Sequence, residues 1–129
     1  MKSYMASLVD SSVWVALYLD DDSQHVKAQR LIATLHAPFY VPYGVLEETA
    51  SVLTYKGSKA HADRFVEFVE LSSDIVYLDP DWRVDAAAFR SIGSRISFTD
   101  AVLLELSRTL SDTKLVTFDQ QLLRLYRRR

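Results

Sequence analysis

Four brief apolar runs punctuate this chain at residues 7–9 (SLV), 39–42 (FYVP), 75–78 (IVYL) and 114–118 (KLVTF). Each is rich in β-branched or aromatic residues, and none alternates polar with apolar side chains. Such runs suit strands buried on both faces. Between and after them lie amphipathic stretches of helical length at 25–35, 43–55, 59–71, 84–92, 99–110 and 120–127. Strands that alternate with helices predict an α/β fold, a short central parallel sheet of about four strands flanked by helices. A chain of 129 residues is the size of one domain, here residues 1–129. No internal repeat, low-complexity tract or linker interrupts it.

In open parallel sheets, ligands bind beyond the carboxyl ends of the strands. Asp10 directly follows the first run and Asp119 the last. Asp100 opens the helix before the last strand, which places it at the same edge. Glu48 lies in the helix after FYVP. Taken singly, each acid has a plain structural explanation. Asp10 and Asp119 suit helix N-caps, Ser97 and Asp100 have the spacing of a capping box, and Glu48 suits a solvated helix face. Taken together, carboxylates converging on one edge repel one another unless cations neutralise them. No lysine adjoins them in sequence, so the set suits a hard, oxygen-seeking ion such as Mg²⁺ or Mn²⁺.

The helical period separates Glu48 from its neighbour. At about 100° per residue, Val45, Leu46, Thr49, Val52 and Leu53 form one stripe. Glu48 falls at its border and Glu47 nearly opposite its centre, so Glu47 should face water. Ser11, Thr99 and Thr117 are candidates to orient a carboxylate or a metal-held water. They are equally residues that cap turns.

Other chemistries lack support. The chain has no cysteine, which excludes disulfides and thiol catalysis and suits a reducing cytoplasm. His25, His36 and His61 lack zinc-ligand spacing. There is neither a Walker loop nor a G-x-S-x-G elbow. No signal pattern and no membrane span is expected. The net charge of −2 rules out a general polycation, so any contact with nucleic acid must be local or assisted by cations. Arg95 is the candidate substrate contact, with Lys114 and the basic end, Arg124, Arg127, Arg128 and Arg129, as either phosphate contacts or a solvated tail. Trp14, Tyr18, Phe65, Phe68 and Phe89 are expected in the core or an interface. Asp20–Ser23 (DDDS) is expected as an exposed helix start.

LVDSSVWVAL, VLEETASVL, SFTDAVLLEL and KLVTFDQQL, in that order and over nearly the whole chain, resemble the four acidic motifs of PIN domains. The likeness is greatest to VapC-type toxins and related small prokaryotic members. It implies a PIN-like fold with Asp10, Glu48, Asp100 and Asp119 on the acidic positions and Thr117 on the hydroxyl before the last acid. It implies an endoribonuclease dependent on Mg²⁺ or Mn²⁺, often a homodimer, acting on RNA. VapC-type members are held inactive by a small antitoxin encoded alongside. On this reading Asp10, Asp100 and Asp119 ligate metal directly, and Glu48 ligates or acts through water.

Two other classes compete. A phosphatase that forms an aspartyl-phosphate usually carries a second Asp two residues after the nucleophile, whereas Asp10 is followed by Ser11 and Ser12. A non-catalytic PIN-like scaffold would not need all four acids.

Overall fold

The computed structural model describes residues 4–128. Its strands are β1 (Ala6–Val9), β2 (Phe39–Pro42), β3 (Ile75–Leu78) and β4 (Thr113–Val116). All pair in parallel, in the order β3-β2-β1-β4. The α/β expectation is thus met. β1 lies inside the sheet, with all four residues buried. β3 forms an edge, where Val76 and Tyr77 are exposed.

The helices are α1 (Ser11–Tyr18), α2 (His25–Thr34), α3 (Tyr43–Lys56), α4 (Lys59–Leu71), α5 (Trp82–Ser91), α6 (Phe98–Thr109) and α7 (Gln120–Arg127). None among the described residues is long and apolar enough to cross a membrane. Six match the amphipathic segments read from sequence to within two residues at each end. α1 was not among the amphipathic segments, although Asp10 suited a cap at its start. Its sequence, SSVWVALY, is buried at Ser11, Val13, Trp14, Val15 and Ala16, so it has no polar stripe to reveal a helical period. It sits between the sheet and its covering helices, and that burial overrides the strand preference of Val and Trp.

β4 also ends earlier than the run KLVTF suggested. Val9 pairs with Val116, and the Asp10 amide donates to the Val116 carbonyl at 2.9 Å as the last rung. Beyond it β1 turns into α1, so Thr117 and Phe118 have no strand to pair with. Pro42 ends β2 and immediately precedes the first turn of α3. Residues 20–23 form a turn ahead of α2, in which Asp22 Oδ1 accepts from the Gln24 amide. They do not form the helix start itself.

The core centres on Trp14. Its ring lies about 6 Å from those of Phe39, Phe65 and Phe68. Deleting a buried indole costs about 3–5 kcal/mol. This packing seats α1 against both sheet and helices, which fixes the direction in which α1 starts. Of the two places expected for Phe89, the core is not where it lies: it is exposed and packs on Phe98, their centroids 5.3 Å apart.

Candidate active site

Asp10 caps α1, its Oδ1 accepting from the Ser11 amide at 2.7 Å. Asp119 caps α7, accepting from the Leu122 amide at 2.9 Å. Ser97 caps α6, accepting from the Asp100 amide at 3.0 Å. Capping thus holds for the side chains of Asp10, Asp119 and Ser97, while Asp100 follows its cap in the first turn of α6, and none of this excludes a site. Three helix starts meet at one sheet edge, two with a capping acid and the third with Asp100 in its first turn.

Asp10 is buried, only 4% exposed, and its carboxylate is held on both oxygens. Oδ1 accepts from Ser11, while Oδ2 accepts from Thr117 Oγ1 at 2.7 Å and Ser12 Oγ at 3.0 Å. The Ser11 hydroxyl also donates to Glu48 Oε1, which joins α1 to α3. Glu48 is half-buried and Glu47 exposed, as the helical period required. The stripe is likewise as expected, with Val45, Thr49 and Leu53 buried.

Asp100 reports how closely the acids gather. Burial pushes its carboxyl up to about 6, and the charges of Asp10, Asp119 and Glu48 push the same way, opposed only by the Ser97 hydroxyl. Three elements separate in sequence thus crowd one carboxylate. Neither of the ion pairs found among the described residues, Lys59–Asp63 and Arg108–Glu105, involves any of the four acids. An all-oxygen set of like charges with no paired Lys or Arg fits a hard divalent cation. As they stand, no three acidic or histidine side chains among the described residues form a ready-made ligand set for one ion. Asp119 is exposed and Asp100 half-buried, so these two have room to turn inward.

The supporting residues fall out unevenly. Ser11 and Thr117 bond the acids directly. Thr99 does not. It packs on Gly44, where an added Cβ would stand 2.6 Å from its Oγ1. The absence of a side chain at Gly44 lets the first turn of α3 approach the first turn of α6, which brings Glu48 toward Asp100.

Ser12 was missed as a contributor. Its hydroxyl also accepts from the Phe118 amide at 3.0 Å, linking the ends of β1 and β4. The serine two residues past Asp10 was the available signal.

Among the basic residues, Arg95 is exposed in the loop before α6, near the site. Arg127 is not, since it lines a hollow with Asp112 and Thr113 at the opposite edge of the sheet. Lys114 lies exposed within β4, and Arg129 falls outside the described residues. His25 Nδ1 lies 2.8 Å from the Ala16 carbonyl and plays no part in the site.

The PIN-domain family model matches residues 7–128. The chain belongs to the PIN-domain family. No curated protein matches the sequence significantly. Among solved structures, this PIN domain resembles VapC20 of Mycobacterium tuberculosis, described as a sarcin-ricin loop cleaving toxin, with a TM-score of 0.83 and 22% identity over 93% of this chain and 95% of that one. At that identity the likeness speaks for the fold.

Proposed function

We propose that this PIN domain is a divalent-metal-dependent endoribonuclease, the toxin of a VapBC-type pair. The observation that carries the reading is the crowding of Asp100 by Asp10, Asp119 and Glu48, with no Lys or Arg among the described residues paired to them. Family membership and the VapC20-like fold support it.

Asp10, Asp100 and Asp119 would hold Mg²⁺ or Mn²⁺. When bound, such an ion supplies positive charge to a phosphodiester and acidifies water at the site. The remaining work belongs to the protein. Ser11, Ser12 and Thr117 fix the Asp10 carboxylate in one orientation, so a ligand geometry is prepared in advance. Glu48 Oε1 is occupied by Ser11, and Oε2 is open to accept a proton from water. The helix starts at Asp10, Asp100 and Asp119 aim backbone amides and the positive ends of their dipoles toward the edge where a phosphate would lie. The reading brings with it a cytoplasmic location, a small antitoxin as partner and a homodimer.

Purified protein is incubated with structured RNA and Mn²⁺ or Mg²⁺, with and without EDTA. Cleavage that stops with chelator and with Asp100→Asn is expected. Cleavage that survives chelation overturns the mechanism, and none under any condition overturns the activity.

A further inference from the structure

The stretch from Phe118 into the first turn of α7 holds more than an acid. Phe118, next to Asp119, carries the ammonium of Lys27 over its ring, 5.0 Å from the centroid. Gln121, two residues past Asp119, donates from Nε2 to the Arg95 carbonyl at 2.9 Å. Lys27 comes from α2 and Arg95 from the loop before α6, so an ammonium and the backbone of an arginine meet residues 118–121 from different elements. Both are exposed, and neither is ion-paired among the described residues. The segment itself is pinned: the Phe118 amide donates to Ser12 Oγ and the Asp119 amide to Thr117 Oγ1 at 2.9 Å.

We propose that Lys27 and Arg95 form a two-armed phosphate contact bracketing the acid cluster, with Phe118 and Gln121 positioning one arm each. The inference rests on the reading of the site as an RNA-cleaving one. An acidic centre on a chain of net charge −2 repels a polyanion, so local cations must draw the strand in. Two anchors on either side of Asp119 would hold a single strand across the carboxylates, engaging phosphates that flank the reacting one. Neither anchor uses up the positive charge. The ring of Phe118 holds Lys27 without neutralising it, and Gln121 holds Arg95 by its backbone, leaving the guanidinium free. Phosphate contacts position a strand without reading its sequence.

The test uses two readouts. On an Asp100→Asn background in EDTA, a labelled single-stranded RNA is titrated by anisotropy over a range of salt. Lys27→Gln and Arg95→Gln should each weaken binding about three- to tenfold and lower the salt slope by about 0.7. Gln121→Ala should reproduce Arg95→Gln, and combining the two should add little. Lys59→Gln, which breaks a surface ion pair on α4, should change neither affinity nor slope. With Asp100 intact and Mn²⁺ present, the same Lys27 and Arg95 variants should raise KM at unchanged kcat. Unchanged affinity and slope in both variants, while the intact protein cleaves RNA, would overturn the proposal and leave the activity standing. The expected slope changes, with no cleavage by the intact protein, would uphold the proposal and overturn the activity. An effect of Gln121→Ala that adds in full to that of Arg95→Gln would remove Gln121 from the positioning role.

Discussion

The Thr117 hydroxyl donates to Asp10 Oδ2 at 2.7 Å across 107 positions of sequence. Thr117 Oγ1 in turn accepts from the Asp119 amide at 2.9 Å. One side chain thus orients the innermost acid and shapes the turn that carries another. Thr117→Val keeps the shape and removes both bonds. We expect a loss of about 1–2 kcal/mol in stability, read by chemical denaturation, since a buried carboxylate loses a donor and a backbone amide its acceptor. RNA cleavage should fall at least tenfold, and Thr117→Ser should restore most of both. A loss in Thr117→Ser with none in Thr117→Val would show that the methyl group, not the hydroxyl, matters.

Glu48→Gln should reduce RNA cleavage far more than Glu47→Gln. Glu48 is half-buried and bonded to Ser11 on α1, whereas Glu47 is exposed one residue earlier on α3. Exposed substitutions of this kind usually stay within about 0.5 kcal/mol of the parent in stability, so a large effect of Glu47→Gln could not be blamed on folding. Steady-state rates for the two purified variants decide it, and equal losses would place the wrong acid at the site.

Thr49→Val should stabilise the protein. Thr49 is wholly buried on α3, and its Oγ1 has no hydrogen-bond partner. Replacing an unsatisfied buried hydroxyl with a methyl group of similar shape removes a desolvation penalty of about 1 kcal/mol or more. A higher melting temperature with unchanged cleavage is expected. A lower one would reveal a bond made by that hydroxyl in solution.

The sheet was legible because its strands are short apolar runs set between clear helical periods. The acids were legible because they stand next to those runs. What sequence hid has physical causes. α1 packs on nearly every side, so its helical period is erased just where Asp10 and Ser11 are aimed. Thr99 stands beside Asp100 in sequence, but the missing side chain at Gly44 draws it away from the acids. Lys27 stands outside every motif in the chain, and only the fold sets its ammonium over the ring of Phe118, next to Asp119. The choice between cap and ligand was open in sequence, and in the fold the α6 cap is Ser97, with Asp100 in the first turn beside it.

Asp100 gives the sharpest test of that last point. Its carboxyl is pushed up to about 6 by burial and by the other three acids, against about 4 in an unfolded chain. A raised carboxylate favours the folded state while it keeps its proton. In EDTA, stability from this group is therefore full below about pH 4 and is lost as pH rises through about 6. Asp100 is only half-buried, so solvent screening limits the effect to on the order of 1 kcal/mol. Asp100→Asn should flatten this dependence and melt higher than the parent at pH 7 without metal. Excess Mn²⁺ should reverse the order. The parent gains about 2.7 kcal/mol at a free ion concentration 100 times its dissociation constant, and the variant, lacking one ligand, gains less. Melts of both proteins at pH 5 and pH 7, in EDTA and in Mn²⁺, expose the crossover. Parallel responses to metal and to pH would leave Asp100 as a helix-start residue beside Ser97 and remove it from the site.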